Sequence, residues 1–296
     1  MEKSSSKYNL CADFGLSFVN KIKWYIYCLK NNKNAQFSID TRLQIKNFKL
    51  TNINTWDDID LNASPARRLC DFFWNNLEWN EISKKLGKEV KVLEMGCGTA
   101  KYGLLLNQRL GDNLKFYRGV DVVRNSEWDK FNGKSKFSLE IGDASKVINN
   151  LEDINFIFTQ SALEHFPEDL TFFSQIADYI NNCNFPVFQV HLMPSSACLN
   201  TYLWHGYRHF TPNSISKITR LFGDNSIFEL YALGGDYCNK LHIKYITLPN
   251  LIMKRDFRKI FNKKYNQNLK KAILNDFNSS NNNNPSFYAL IIKTNF

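Results

Sequence analysis

The chain has 296 residues, 44% of them apolar, and a formal net charge of +10. That supplies one sizeable core, and the length suits one large domain or one domain with an appendage. No apolar run approaches the ~20 residues that a spanning helix needs, and the opening MEKSSSKYNL is too polar for a secretion signal. Seven cysteines without framework spacing point to reduced thiols and a cytoplasmic setting. The charge is uneven: +6 over residues 1–50 and +9 over 201–296, against −2 over 51–90 and −3 over 91–200. Basic ends suit nucleic acid, an anionic membrane surface or an anionic glycan. Compositional drift toward Lys and Asn is the plainer account.

Residues 1–88 read as an extension. Phe37 to Leu50 partly alternates polar and apolar residues, as an edge strand or hairpin arm does. Ser64-Pro65 opens a helix, with Pro65 in its first turn. Ala66 to Leu86 then carries one or two helices that pack on the main domain. Phe72, Phe73, Trp74 and Trp79 read as core or lid packing rather than base-stacking platforms.

The chain changes character at Val90. Val90, Val92 and Leu93 make a short buried strand that ends in Glu94. The turn Gly96-Cys97-Gly98 follows, then helical spacing from Thr99 to Leu110. Glycines let the backbone take positive φ and let a ligand approach it closely. The helix start offers free N–H groups to an anionic group. The dinucleotide fingerprint fails, because Lys101 holds its third glycine position. The P-loop fails because Leu104 stands where its Lys belongs.

An acidic residue followed by G-x-G resembles motif I of the class I S-adenosylmethionine-dependent methyltransferases. The resemblance implies an α/β, Rossmann-like sheet, mostly parallel, with the last strand antiparallel between the fifth and sixth. It implies an N-terminal, mainly helical extension or lid over 1–88 and a cofactor-binding domain over 89–296, with 236–284 inserted. It also implies S-adenosylmethionine as cofactor, held by Glu94, Gly96, Cys97, Gly98 and Tyr102.

The next strand, Lys115 to Val123, ends near Asp121, 23 residues beyond Gly98. A ribose-binding carboxylate belongs there, with Val122 beside it. The third strand, Lys136 to Ile141, leads to Asp143-Ala144. In the family, an Asp here accepts a hydrogen bond from the adenine amino group. Asp143 equally suits the N-cap of a helix over Ala144 to Leu151. The fourth strand, Ile154 to Thr159, runs into Gln160 and then Leu163-Glu164-His165. That segment looks like its counterpart in many small-molecule methyltransferases, and Gln160 joins the expected cofactor contacts. The chain has no [N/D]-P-P-[Y/F] here, no Cys nucleophile for a covalent route, and no Asp for a catechol-type magnesium site. No metal is expected. Glu164 is the one candidate ligand, because some quinone O-methyltransferases with a similar Glu-His need a divalent ion.

A helix over Asp169 to Asn182 and a fifth strand over Pro186 to Met193 precede the loop Pro194 to Phe210. This loop begins at the carboxyl end of a strand, where open α/β sheets bind ligands. His205, Tyr207 and Arg208 are therefore expected to contact substrate, and His165 or His209 to act as general base. His205 and His209 are four apart, but the intervening Gly206 argues against a helical metal pair. A helix starts at Thr211-Pro212. Residues 225–248 read as strand, Gly234-Gly235 break, strand. Lys254 to Lys271, with eight basic residues and one acid, suits an anionic membrane surface or a solvated helix whose apolar stripe faces the core. Asn278 to Asn284 is low-complexity, and Ser286 to Thr294 is the final strand.

Ser64-Pro65-Ala66-Arg67-Arg68 with Phe73-Trp74, and Gly206-Tyr207-Arg208-His209-Phe210-Thr211-Pro212, also look like uncharacterised bacterial methyltransferases found with surface-polysaccharide biosynthesis. The expected function is methyl transfer to a hydroxyl of a sugar or other small-molecule acceptor, in surface-glycan or secondary metabolism. Three alternatives stay open. They are an RNA methyltransferase, though no RNA module is present, a non-catalytic cofactor-binding subunit, and a peripheral membrane enzyme with a lipid-linked acceptor.

Overall fold

The computed structural model describes residues 2–33, 38–48, 62–87, 89–144, 151, 153–279 and 284–296. In chain order, α1 (Phe18–Lys33), β1 (Leu43–Asn47), α2 (Pro65–Asn75) and α3 (Trp79–Lys85) form the N-terminal part. Then come β2 (Val90–Met95), α4 (Lys101–Leu110), β3 (Leu114–Asp121), β4 (Phe137–Ile141), β5 (Phe156–Gln160), α5 (Asp169–Asn181) and β6 (Val187–Pro194). After α6 (Pro212–Thr219) and β7 (Ser226–Leu233) come α7 (Asp236–His242), α8 (Leu248–Met253), α9 (Phe257–Ile260) and α10 (Asn262–Asn278), and β8 (Phe287–Thr294) closes the chain.

The eight strands form one sheet in the order β1-β7-β8-β6-β5-β2-β3-β4. β8 pairs antiparallel with both β6 and β7, and every other pairing is parallel. The last strand therefore sits between the fifth and sixth strands of the α/β unit, where the resemblance puts it. β1 joins the sheet at its edge, parallel to β7. The expected edge strand in 37–50 is thus present, narrowed to five residues. Two apolar clusters pack on the sheet, one led by Trp74, Phe156 and Tyr265 and the other by Phe172, Phe173 and Leu290.

Local chemistry explains the helix starts. The Ser64 hydroxyl accepts the Arg67 N–H, with Pro65 at the first helical position, and Thr211 and Ser214 form a capping box ahead of α6. The second half of 225–248 is a helix, where a strand was expected. Cys238, Leu241 and Tyr245 are buried at helical spacing. The start of α7 is capped from afar, since the Tyr237 and Cys238 amides both donate to the Asp276 carboxylate at 3.0 Å. The apolar stripe of α10, with Tyr265, Leu269 and Ile273, faces the core. The helix expected over 144–151 lies mostly outside the described residues.

Candidate active site

The sheet reverses direction of growth between β2 and β5, which are neighbours with β3 on the far side of β2. In open α/β sheets the crevice at such a switch, at the carboxyl ends of the strands, takes the ligand. A cavity of about 900 Å³ lies there, large enough for a nucleoside-bearing cofactor with a small acceptor.

The turn after β2 forms its floor. Gly96 and Gly98 have φ of +77° and +52°. A Cβ on Gly96 would come within 2.4 Å of the Ala162 Cβ, so the turn can pack on the β5 loop only without a side chain. Nothing lies within 4 Å of a Cβ built on Gly98, so its backbone is open to the cavity. The Gly98 amide donates to Asp121 Oδ2 at 2.7 Å, and the Trp128 indole donates to the Gly98 carbonyl at 2.7 Å. Asp121 thus holds the turn with one oxygen, while the other accepts the Val123 amide at 3.4 Å, and the carboxylate lines the cavity.

Glu94 is buried at the cavity's inner wall and accepts a hydrogen bond from the Tyr117 hydroxyl. Burial pushes its carboxyl up to about 8, and the nearby Asp121 charge adds to the rise. Gly103 makes room for Tyr117, whose ring would be 2.6 Å from a Cβ there. Tyr102 donates to Asp71 at 2.9 Å and receives the Arg67 guanidinium at 2.8 Å. Arg67 brings a positive charge to the lining. The Trp74 indole donates to Gln160 Oε1 at 2.8 Å and fixes that side chain at the β5 end.

All ten expected cofactor positions, Glu94, Gly96, Cys97, Gly98, Tyr102, Asp121, Val122, Asp143, Ala144 and Gln160, line this one cavity. His165 and Tyr207 line it too. The N-terminal part adds Cys11, Asp13 and Phe14. Asp13 and Arg67 were not expected at the site because no spacing rule ties them to the glycine-turn motif, whose Glu94 comes 81 residues after Asp13 and 27 after Arg67.

Asp13 is the partner of His165. Its Oδ2 is 2.7 Å from His165 Nδ1, and its Oδ1 accepts the Gly206 amide at 3.0 Å. Burial works against the imidazolium, but the Asp13 hydrogen bond and the Glu164 charge outweigh it and raise the His165 pKa. The reverse holds for Asp13, where His165 and the Gly206 amide overcome burial and hold the carboxyl well below its ordinary range. Glu164 lies behind the pair, 1% exposed, with both carboxylate oxygens buried and unpartnered. Burial pushes it up to about 7. His205 packs edge-on against His165, with ring centroids 4.6 Å apart, and does not line the cavity.

Arg208 and His209 face away from the cavity, contrary to their expected roles. Arg208 is 1% exposed and ion-pairs with Asp169 at 2.8 Å. It also donates to Asn9 and to the Pro167 carbonyl. His209 is buried against Trp24, its ring nitrogens have no partner, and burial lowers its pKa to about 3. The segment turns inward to its bridge between Ser195 and Phe210, which carries both side chains into the core. A neutral imidazole sealed from the cavity has no route to an acceptor proton.

No protein-family model matches the chain, and no curated protein matches it. Solved structures with a similar course include a putative sarcosine dimethylglycine methyltransferase from Galdieria sulphuraria. The two are 12% identical with a TM-score of 0.48, over 82% of this chain and 96% of that one. A SAM-dependent methyltransferase from Archaeoglobus fulgidus is 17% identical with a TM-score of 0.46, over 82% and 100%. Phosphoethanolamine N-methyltransferase 2 from Haemonchus contortus, solved in complex with S-adenosyl-L-methionine, is 13% identical with a TM-score of 0.45, over 75% and 52%. The strand order, the antiparallel last strand and the glycine turn after β2 are all present in this chain. The fold is an α/β, Rossmann-like sheet, mostly parallel, with its last strand antiparallel between two parallel ones.

Proposed function

We propose that the chain transfers a methyl group from S-adenosylmethionine to a hydroxyl of a sugar or other small-molecule acceptor. One observation carries the reading: the glycine turn, Asp121 and Asp143 share a cavity with a His165–Asp13 pair. Bound there, the cofactor supplies an electrophilic methyl group on a sulfonium. The Asp121 carboxylate, whose Oδ1 makes only a long 3.4 Å bond to the Val123 amide, suits a ribose diol, and Asp143 suits the adenine amino group. Arg67 and the start of α4 suit the methionine carboxylate, and a ligand's cationic group beside Glu94 would favour the ionised form that burial disfavours. His165 accepts the acceptor's proton as its oxygen bonds to the methyl carbon and the carbon–sulfur bond breaks. Asp13 is a positioning residue, because it orients the ring and stabilises the imidazolium that results. Residues 1–88 serve as the lid and edge of a catalytic domain over 89–296, and surface-glycan metabolism supplies the acceptor class.

Calorimetry tests the cofactor assignment. Asp121→Ala is expected to weaken S-adenosylmethionine binding by about 1–3 kcal/mol, through loss of a charge-assisted bond and of the turn's anchor. Unchanged affinity, or tighter binding of NAD, removes the reading.

The same residues favour a second reading, although the sequence led us to expect no metal. Asp13, His165 and His205 bring ligand atoms within 4.8 Å of one another. Glu164 Oε1 is 4.0 Å from His165 Nε2 and 3.8 Å from His205 Nε2. Imidazole and carboxylate together suit a divalent transition metal. The general-base reading expects full turnover in excess chelator. Loss of turnover that added zinc, manganese or magnesium restores would favour the metal.

A further inference from the structure

Helix α1 carries an apolar stripe on the wrong side for a core. Trp24 and Cys28 are its buried residues, and they face the 199–209 segment, with the Trp24 indole donating to the Gly206 carbonyl at 2.9 Å. The opposite side shows Phe18, Ile22, Ile26 and Leu29 to solvent, Phe18 at 78% exposure. Those four positions fall on one helical face. A soluble helix ordinarily puts charge there. Beside the stripe α1 has Lys23, Lys30 and Lys33 and no acidic residue, while Lys21 lies over the Trp204 ring on the packed side. A groove of about 370 Å³ runs beside it, lined by Lys7, Lys30 and Lys33 with Tyr8, Ile26 and Leu29.

We infer that α1 docks this protein on an anionic lipid surface, beyond and independent of the methyl-transfer reading. An exposed apolar stripe flanked by lysines is the composition of the lipid-facing side of a helix in the bilayer interface, and here the other side is packed on the protein through Trp24 and Cys28. Charge complementarity names the occupant: the lysines that frame the groove offer three ammonium groups to a lipid phosphate, and no carboxylate of α1 opposes it. No helix among the described residues is long and apolar enough to cross a membrane, so the contact is peripheral. The turn before α1 sets Phe14, 87% exposed, on the cavity lining. Docking through α1 therefore sets the Phe14 turn, at the cavity's edge, beside the membrane.

Vesicle co-sedimentation of the full chain tests this. Vesicles of phosphatidylglycerol and phosphatidylcholine are compared with phosphatidylcholine alone, at low and at physiological salt. The expected result is at least about tenfold stronger binding to the anionic vesicles, weakened by salt. Ile22→Glu and the double variant Lys30→Glu, Lys33→Glu should each cut binding by about tenfold. Their melting temperature and S-adenosylmethionine affinity should stay unchanged, since the replaced side chains lie on the solvent side of α1 and outside the cavity. Ile252→Glu, in the exposed tip of α8, should leave binding within twofold. No binding, equal binding to both vesicles, or loss only in Ile252→Glu would overturn the proposal. So would a concentration-dependent dimer that Ile22→Glu abolishes, because a second copy would then cover the stripe.

Discussion

His165 shows how neighbours decide what a residue can do. Two histidines were candidates for the base, and their surroundings separate them. His209 is sealed and unpartnered, and burial lowers its pKa to about 3. His165 is on the cavity wall, with Asp13 on one nitrogen and a raised pKa. A base must be neutral to accept a proton, so turnover should fall as pH drops below the raised His165 value. His165→Ala should lower kcat by about 10²–10⁴ while cofactor affinity stays within a few fold. Asp13→Asn should also lower kcat, because the ring loses its orientation. Its pH profile gives a second readout: without the carboxylate the His165 pKa drops, so the acid limb moves to lower pH. A merely structural Asp13 would leave that limb in place. His209→Ala should leave the limb unmoved, and near-normal turnover in His165→Ala would show that alignment alone does the work.

At the scale of elements, legibility followed locality. The strand, glycine turn and helix at 90–110 were readable because each piece carries its own cause: β-branched residues, glycines at positive φ, then helical spacing. Asp121 ends β3 and Asp143 follows β4, and both come to the cavity beside that turn because each strand of such a sheet ends on the same side. Helix α7 was misread because its cap is supplied 38 residues downstream by Asp276, and no local signal replaces it. The inward turn at Arg208 and His209 was also hidden, since Asp169 and Trp24 come from distant elements. The α7 case carries its own test. Asp276 is 2% exposed and accepts both first-turn amides. Asp276→Ala should therefore cost about 1–3 kcal/mol of stability, through one buried and one part-buried donor left unmade. Urea unfolding measures it, and a loss below ~0.5 kcal/mol would mean that water or another group takes over the cap.

Across the whole molecule, the N-terminal segment crosses the loops beside the His165 end of the cavity. The Ser5 amide donates to Asp169 at 2.8 Å, and Arg208 donates to Asn9 at 2.9 Å. The Ala12 amide reaches the Gly206 carbonyl at 3.0 Å, and Asp13 closes on His165. These bonds tie one end of the chain to the loops after β5 and β6, so the Asp13–His165 pair exists only while the segment stays in place. Cys11 and Phe14 complete the wall, and Phe14 is exposed enough to bury itself on whatever enters. Ligand that binds the native state alone stabilises it by about 2.7 kcal/mol at one hundred times its Kd. The geometry predicts where part of that gain is felt. Amide hydrogen exchange at residues 5–16 should slow on addition of S-adenosylhomocysteine by about tenfold or more, well above the change in β1, which lies at the far edge of the sheet. The same protection should fall in Asp13→Asn, because the segment loses its bond to His165. Exchange at 5–16 that ignores the ligand would mean that the segment is a fixed wall, with the acceptor entering by another side.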